Sequence, residues 1–334
     1  MKQTFTFKSQ LSPTITRYLE LHFALGHRCK NAITTFKALD RFLNGFPRVA
    51  QDLTAEVFHS WCQSQSELTP RVRRYRMLII RKFCLYRRRT VPDCFVPDPI
   101  LFPRAGQTVT PYIFSESEVA RLMMAAATLQ RRSYSPLRPE GVRLAVVLLY
   151  TTGLRIGELL RLVVGDFDPR EGTLLVRASK FYKSRILPLP QDVIGELQRY
   201  LEVRRKRKLP ILSTTPLIWN GRQGGKAYTA WGLQCCLWAL LDACNIRTRS
   251  GRRPRVHDFR HSCAVNALIR WYRAGADLRT KLPFLAAYLG HVSIVSTYRY
   301  LHFVEPLRAL ASSRFNDSFG GLVVPLSMRE GRTA

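Results

Sequence analysis

Five basic side chains and one tyrosine recur in an order that could hold and break a phosphodiester. Arg155 lies in TGLRIGELLRL, Lys180 in ASKFYKSRILPLP, His257 and Arg260 in HDFRH, His291 in LGH and Tyr300 in STYRYLH. Grouped around one phosphate, the bases would neutralise its charge while the phenolic oxygen attacks. That is phosphoryl transfer to tyrosine without a metal, a chemistry that breaks and rejoins DNA strands.

Each residue type has a physical reason to be there. A free phenol has a pKa near ~10, so making the phenolate at neutral pH costs about 4 kcal/mol, which neighbouring cations or a base must offset. Arg155 and Arg260 suit the non-bridging oxygens, because guanidinium forks stabilise charge that builds there in a pentavalent transition state. Arg155 follows Thr-Gly-Leu at a helix break in an apolar segment, so it needs a partner, and Glu158 one turn on could orient or neutralise it. Lys180 could protonate the leaving 5′ oxygen, with Lys183 three residues away as its rival. His257 and His291 can donate to phosphate or move a proton. The H-D-F-R-H spacing puts Arg260 one turn from His257, which disfavours metal capture. No Asp/Glu cluster offers a magnesium site. His261 is expected to pack or support the site, and Asp258 to cap or orient its helix.

Tyr298 is a second nucleophile candidate. On one straight helix, Tyr298 would lie nearly two turns from His291 and Tyr300 on the opposite face, but Gly290 points to a chain break.

Helical periodicity is expected over Pro13–Leu25, Lys30–Leu43, Thr54–Ser64 and Pro70–Arg89. In the last of these, Val72, Tyr75, Leu78, Ile79, Phe83 and Tyr86 form the apolar face, and the RVRRYR and YRRR clusters suit a phosphate-tracking face. Prolines at 92, 97, 99, 103 and 111 then predict an extended, stiff connector holding the domain boundary. Ser115-x-x-Glu118 opens a helix through Ala127, and another spans Pro139–Thr152, ended by Gly153. Thr173–Ala178 and Arg185–Leu189 read as a β-hairpin with Lys180 near its turn, and helices resume at Gln191–Lys206, Thr229–Cys244, Asp258–Arg273 and Lys281–Leu289.

The charge balance supports a polyanionic partner. Across 334 residues, 53 Lys+Arg oppose 23 Asp+Glu, a net +30, and 42 of the cations are arginine, the better bidentate phosphate ligand. Residues 1–105 carry 18 cations and 7 anions and residues 106–334 carry 35 and 16, so both halves are basic, unlike a membrane-surface protein with one charged helix or tail. A 46% apolar and 11% aromatic composition excludes a largely disordered chain. Eight cysteines without a C-x-x-C pair read as reduced buried thiols rather than a zinc or redox site. With no signal-peptide run and no apolar stretch longer than Leu144–Tyr150, a cytoplasmic protein without a membrane anchor is expected.

In order, local sequence and spacing, TGLRIGELLRL, SKFYKSRILPL, HDFRHS and YLGHVSIVSTYRYLH resemble the tyrosine recombinase/integrase family. Lys180 lies 25 residues after Arg155 and Tyr300 lies 9 after His291, as in that family. The resemblance implies a mainly α fold with a small β-hairpin or sheet (α+β), in which a helical core-binding domain and a catalytic domain clamp DNA. Domains are expected at 1–105, with the connector at about 90–111, and at 112–315, followed by a tail at 316–334. It also implies a 3′-phosphotyrosyl intermediate, a free 5′-OH and religation to a partner strand without metal or nucleotide cofactor. The partners expected are double-stranded DNA and further copies in a homo-tetramer on that DNA, with accessory recombinases left open, and service to a mobile element is the role expected. By position, Arg155 and Arg260 would bind the scissile phosphate, Lys180 would be the general acid, His257 and His291 would assist, and Tyr300 would attack. A type IB topoisomerase would share this chemistry but typically has Lys where His257 stands. A DNA-binding regulator on the same fold would have no need of Tyr300 or Lys180.

Overall fold

The computed structural model describes residues 6–27, 29–45, 52–104, 110–177, 184–221, 224–291 and 293–302. Lys180, Lys183 and the tail at 316–334 lie outside them. The chain divides into two compact units, Met1–Val109 and Thr110–Ala334.

Among the described residues of the first unit, four α-helices form, α1 (Ser12–Ala24), α2 (Lys30–Gly45), α3 (Ala55–Gln63) and α4 (Pro70–Arg87). Pro at the first turn starts α1 and α4, where a missing N–H costs nothing, and the Thr54 hydroxyl caps α3 by accepting from Val57 N. Ile15, Leu19, Phe36, Leu39, Trp61, Ile80 and Phe83 close the core, with Tyr18 edge-on to Phe36 and Phe83. The buried face of α4 differs from the sequence expectation. Met77, Ile80, Phe83, Cys84 and Arg87 point inward, while Val72 and Tyr75 are exposed. Arg87 tolerates burial because it donates to both oxygens of Asp52, at 2.5 and 2.7 Å.

The proline-studded stretch is packed rather than free over residues 90–104. Phe102 is buried in this core and Phe95 packs against it, while Arg74 and Arg81 of α4 donate to the carbonyls of Pro103 and Pro97. Apolar burial and capped carbonyls draw the segment back onto the helices.

The second unit is built around α6 (Arg138–Thr152), buried on nearly every side by α5 (Glu116–Ala127), α8 (Gln191–Lys206), α9 (Ala230–Ala243) and α10 (His257–Arg273). The Ser115 and Glu118 capping box opens α5 as expected. The short α7 (Ile156–Leu159) follows α6. A three-stranded antiparallel sheet runs in the order β1 (Phe167–Asp168), β2 (Thr173–Val176), β3 (Arg185–Pro188), with Thr173 opposite Pro188 and Val176 opposite Arg185. The hairpin was legible in the sequence, whereas β1, two residues long, was not. Two further helices, α11 (Leu278–Leu289) and α12 (Val295–His302), close the unit and pack against α10.

A stacked pair, Phe114 on Phe259 at 4.3 Å, and a hydrogen bond from Phe114 N to the Ser262 hydroxyl tie the start of this unit to α10. All eight cysteines are free thiols, and burial pushes Cys62 and Cys84 up to about 12.

Candidate active site

Two glycines bring the basic residues together. Gly153 ends α6 with φ +61°, a left-handed turn that L side chains rarely adopt, and a Cβ there would meet Leu289 Cδ2 at 2.6 Å. The turn delivers Arg155 to the start of α7 in extended conformation, its backbone N–H donating to Glu158 Oε2 at 3.1 Å. Gly290 ends α11 in the same way, with φ +68°, and His291 N bonds back to the Ala286 carbonyl.

The end of α11 is where the cations meet. The last carbonyls of a helix have no partner within it and carry partial negative charge. Here three successive ones each accept from a different arginine. Arg185 Nε donates to Tyr288 O at 2.9 Å, Arg260 Nη2 to Leu289 O at 2.6 Å and Arg155 Nη2 to Gly290 O at 3.5 Å. Arg260 is 1% exposed and spends its other Nη on Gly153 O at 2.7 Å, so it bridges the ends of α6 and α11. Burial first, then the nearby Arg155, lower its pKa to about 10, which still leaves it charged at neutral pH.

Glu158 lies between two of these arginines. Arg155 Nη1 donates to it at 2.7 Å and Arg185 Nη2 at 2.9 Å, and its side chain is 2% exposed. Burial opposes its charge, but the Arg185 and Arg155 bonds outweigh that and hold its carboxyl at about 2. It therefore both orients and partly neutralises Arg155. Asp258 accepts from the backbone and guanidinium of Arg255 at the start of α10. Among the described residues, no group of three His, Cys, Asp or Glu side chains could hold a metal ion.

The histidines and Tyr300 complete the cluster. His257 opens α10, and its ring lies edge-on to His261 at 4.8 Å. His261 lies edge-on to the Tyr300 ring at 5.5 Å, and His291 stacks on that ring at 6.0 Å. His257 is held at about 4 by the packing around its ring and then by the charges of His261, Arg260 and Arg155, although its residue surface is exposed. Burial, followed by repulsion from Arg260 and Arg155, puts His291 at about 4 as well. Both imidazoles are thus neutral at pH 7. Tyr300 is 4% exposed, and burial raises its pKa against the pull of Arg260, so the phenol is protonated in this state.

The structure brings Arg155, His257, Arg260, His291 and Tyr300 into one cluster, and Lys180 lies outside the described residues. Tyr298 points to solvent, 44% exposed. The straight-helix argument that favoured Tyr298 fails because α11 stops at Gly290 and α12 begins anew at Val295. Sequence reasoning missed Arg185 and Thr297, whose hydroxyl bonds His291 Nδ1 at 2.8 Å. Strand parity carried a signal for Arg185, because it shares a face with the buried Leu187.

Comparison with known proteins identifies the family. Residues 113–305 match the sequence pattern of the phage integrase family. A protein provisionally named integrase/recombinase y4rB, from Sinorhizobium fredii (strain NBRC 101917 / NGR234), is 30% identical over 297 residues, covering 88% of this chain and 93% of its own. Tyrosine recombinase XerA of Pyrococcus furiosus (strain ATCC 43587 / DSM 3638 / JCM 8422 / Vc1) is 33% identical over 158 residues, covering 47% of this chain and 49% of its own. Among solved structures, the XerH site-specific recombinase bound to palindromic difH substrate in a post-cleavage complex shares the fold. Its TM-score is 0.64 at 18% identity, over 84% of this chain and 79% of that one.

Proposed function

The chain belongs to the phage integrase family as a tyrosine recombinase, and from that premise we propose that it cleaves and rejoins specific DNA sites through a 3′-phosphotyrosyl intermediate on Tyr300. Arg155 and Arg260 hold the non-bridging oxygens of the scissile phosphate, and His257 and His291 donate to it once its negative charge raises their pKa. Tyr300 releases its phenolic proton to water as its oxygen attacks phosphorus, the bond to the 5′ oxygen breaks, and Lys180 gives a proton to that oxygen, which leaves as a 5′-hydroxyl. No metal takes part, because guanidinium and imidazole groups supply the charge that a metal would. The nearby carboxylates Glu158 and Asp258 are each already held by arginine.

The single observation that carries this reading is the placement of Tyr300, beside the imidazoles of His261 and His291 and against Arg260. The net charge of +30 and the basic character of both units support double-stranded DNA as the partner. Exchange between two duplexes needs four strand cuts with one nucleophile each, so four copies assemble on the paired sites. DNA as substrate places the protein in the cytoplasm, with the nucleoid. Among the described residues, no helix is long and apolar enough to cross a membrane.

Trapping on a nicked suicide substrate tests the reading. A covalent protein–DNA band resistant to denaturation and formed in EDTA is expected. Binding without any adduct would leave a DNA-binding regulator, and relaxation of supercoils by a single copy would make it a topoisomerase.

A further inference from the structure

We propose that Arg185 is a positioning residue for the phosphate clamp, one that neutralises Glu158 and thereby keeps the charge of Arg155 available to the scissile phosphate. This rests on the reading above, in which Arg155 is a phosphate ligand.

Arg155 faces a conflict that its own neighbourhood creates. It needs Glu158 to hold its fork, through the 2.7 Å side-chain bond and the carboxylate's grip on its backbone N–H. Yet a guanidinium already paired with a buried carboxylate is a neutral unit, with little left to offer an anion. Arg185 resolves the conflict. It takes the other oxygen of Glu158 at 2.9 Å and touches the first at 3.5 Å. Two cations on one carboxylate leave one net positive charge.

Exposure decides which arginine presents that charge. The Arg155 side chain is 31% exposed and Arg185 is 11% exposed, so Arg155 faces outward and Arg185 stands behind it. Three anchors hold Arg185 in place. It opens β3 opposite Val176, its Nε is spent on the Tyr288 carbonyl, and its guanidinium lies where a Cβ on Gly290 would come within 2.8 Å of Nη1. The glycine leaves room for this packing, and the same chain segment leads directly into His291. Arg185 thus ties the hairpin strand to the turn that carries another phosphate-facing side chain.

A charge-balance experiment separates this role from a purely structural one. Single-turnover formation of the covalent complex and DNA affinity are measured for wild type, Arg185→Gln, Arg185→Lys, Glu158→Gln and the Glu158→Gln/Arg185→Gln double variant, each below its melting temperature. Arg185→Gln should slow cleavage roughly 10- to 100-fold, the range for a lost charged hydrogen-bond partner, with affinity within about twofold of wild type. Arg185→Lys, which keeps the charge but not the fork, should lose less. The double variant should recover most of the lost rate, because the amide that replaces the Glu158 carboxylate still accepts from the Arg155 N–H while no longer consuming its charge. Cleavage by Arg185→Gln at the wild-type rate, or a double variant no faster than Arg185→Gln, would overturn the proposal. If wild type itself forms no adduct, the recombinase reading falls and this inference falls with it.

Discussion

The imidazole of His291 lies nearly parallel to the phenol ring of Tyr300, with 6.0 Å between centroids and 16° between planes. Thr297, itself 0% exposed, holds the Nδ1 of that imidazole at 2.8 Å. One short helix, α12, therefore carries both the tyrosine and the hydroxyl that orients its histidine partner. The Tyr300 phenol and the His291 imidazole are set relative to each other by fewer than two turns of backbone.

Thr297→Val keeps the shape of this contact and removes its hydrogen bond. A bond of this kind contributes about 1 kcal/mol, so covalent-complex formation should slow roughly five- to tenfold while DNA affinity stays level. Thr297→Ser should keep most of the rate. Single-turnover assays on the nicked substrate decide it, and a Val variant as fast as wild type would remove Thr297 from the site.

Tyr300→Phe should abolish the covalent band, and Tyr298→Phe should leave it. Because Tyr300 is buried among apolar and imidazole neighbours and Phe fills the same volume, its melting temperature should change little. The reverse pattern of adducts would transfer the nucleophile to Tyr298.

Arg155→Ala should separate chemistry from binding. Glu158 keeps Arg185 as its partner, so the buried carboxylate stays compensated and the stability loss should stay within about 1 kcal/mol. Cleavage should fall by about 100-fold or more, as for a lost transition-state donor. One phosphate contact among many has gone, so the salt slope of binding should drop by about one. Parallel loss of binding and cleavage would contradict this assignment.

Acid should weaken the DNA-free protein in two stages. His257 and His291 sit at about 4 against an ordinary 6.5, so the unfolded chain binds protons first. Their contribution is intact above pH 6.5 and is lost as pH falls through about 4. Glu158, at about 2 against 4.5, contributes fully above pH 4.5 and loses its part below that. Urea midpoints measured from pH 7.5 to 4 should therefore decline from about 6.5 downward. His257→Asn/His291→Asn should flatten the upper stage, and an unchanged slope would refute the depressed imidazoles.

Gly290→Ala and Gly251→Ala make a matched pair. Both glycines have positive φ, +68° and +72°, but a Cβ at 251 meets nothing within 4 Å, whereas one at 290 meets the Arg185 guanidinium. Gly251→Ala should cost about 1 kcal/mol of backbone strain. Gly290→Ala should cost more, about 2–3 kcal/mol, and should slow cleavage by displacing Arg185. Thermal melts and adduct yields compare them directly, and equal effects would show that the guanidinium gives way freely.

Local signals in the sequence located most helices of both units, since α5, α6 and α8 carry their own caps or periodicity and the turn residues Gly153 and Gly290 announce their breaks. What escaped was decided by distant contacts. The inward face of α4 rests on Arg87 meeting Asp52, and α12 is too short for its period to stand out. For the site, order and spacing named five residues that the fold gathers. Arg185 stayed hidden because strand parity marks only its inward face, while the partners that give it a role, Glu158 and a carbonyl at position 288, lie far along the chain.

The carbonyls of Tyr288, Leu289 and Gly290 belong to the main chain, so no exchange of side chain can delete them. The alignment of three guanidiniums is thus written into the path of the backbone, which Gly290 shapes through its left-handed φ of +68°. Mutational drift at 288 and 289 can alter packing while the acceptors stay in place. The arginines, drawn from three distant points of the chain, are what a substitution can remove, while the carbonyls that register them are beyond its reach.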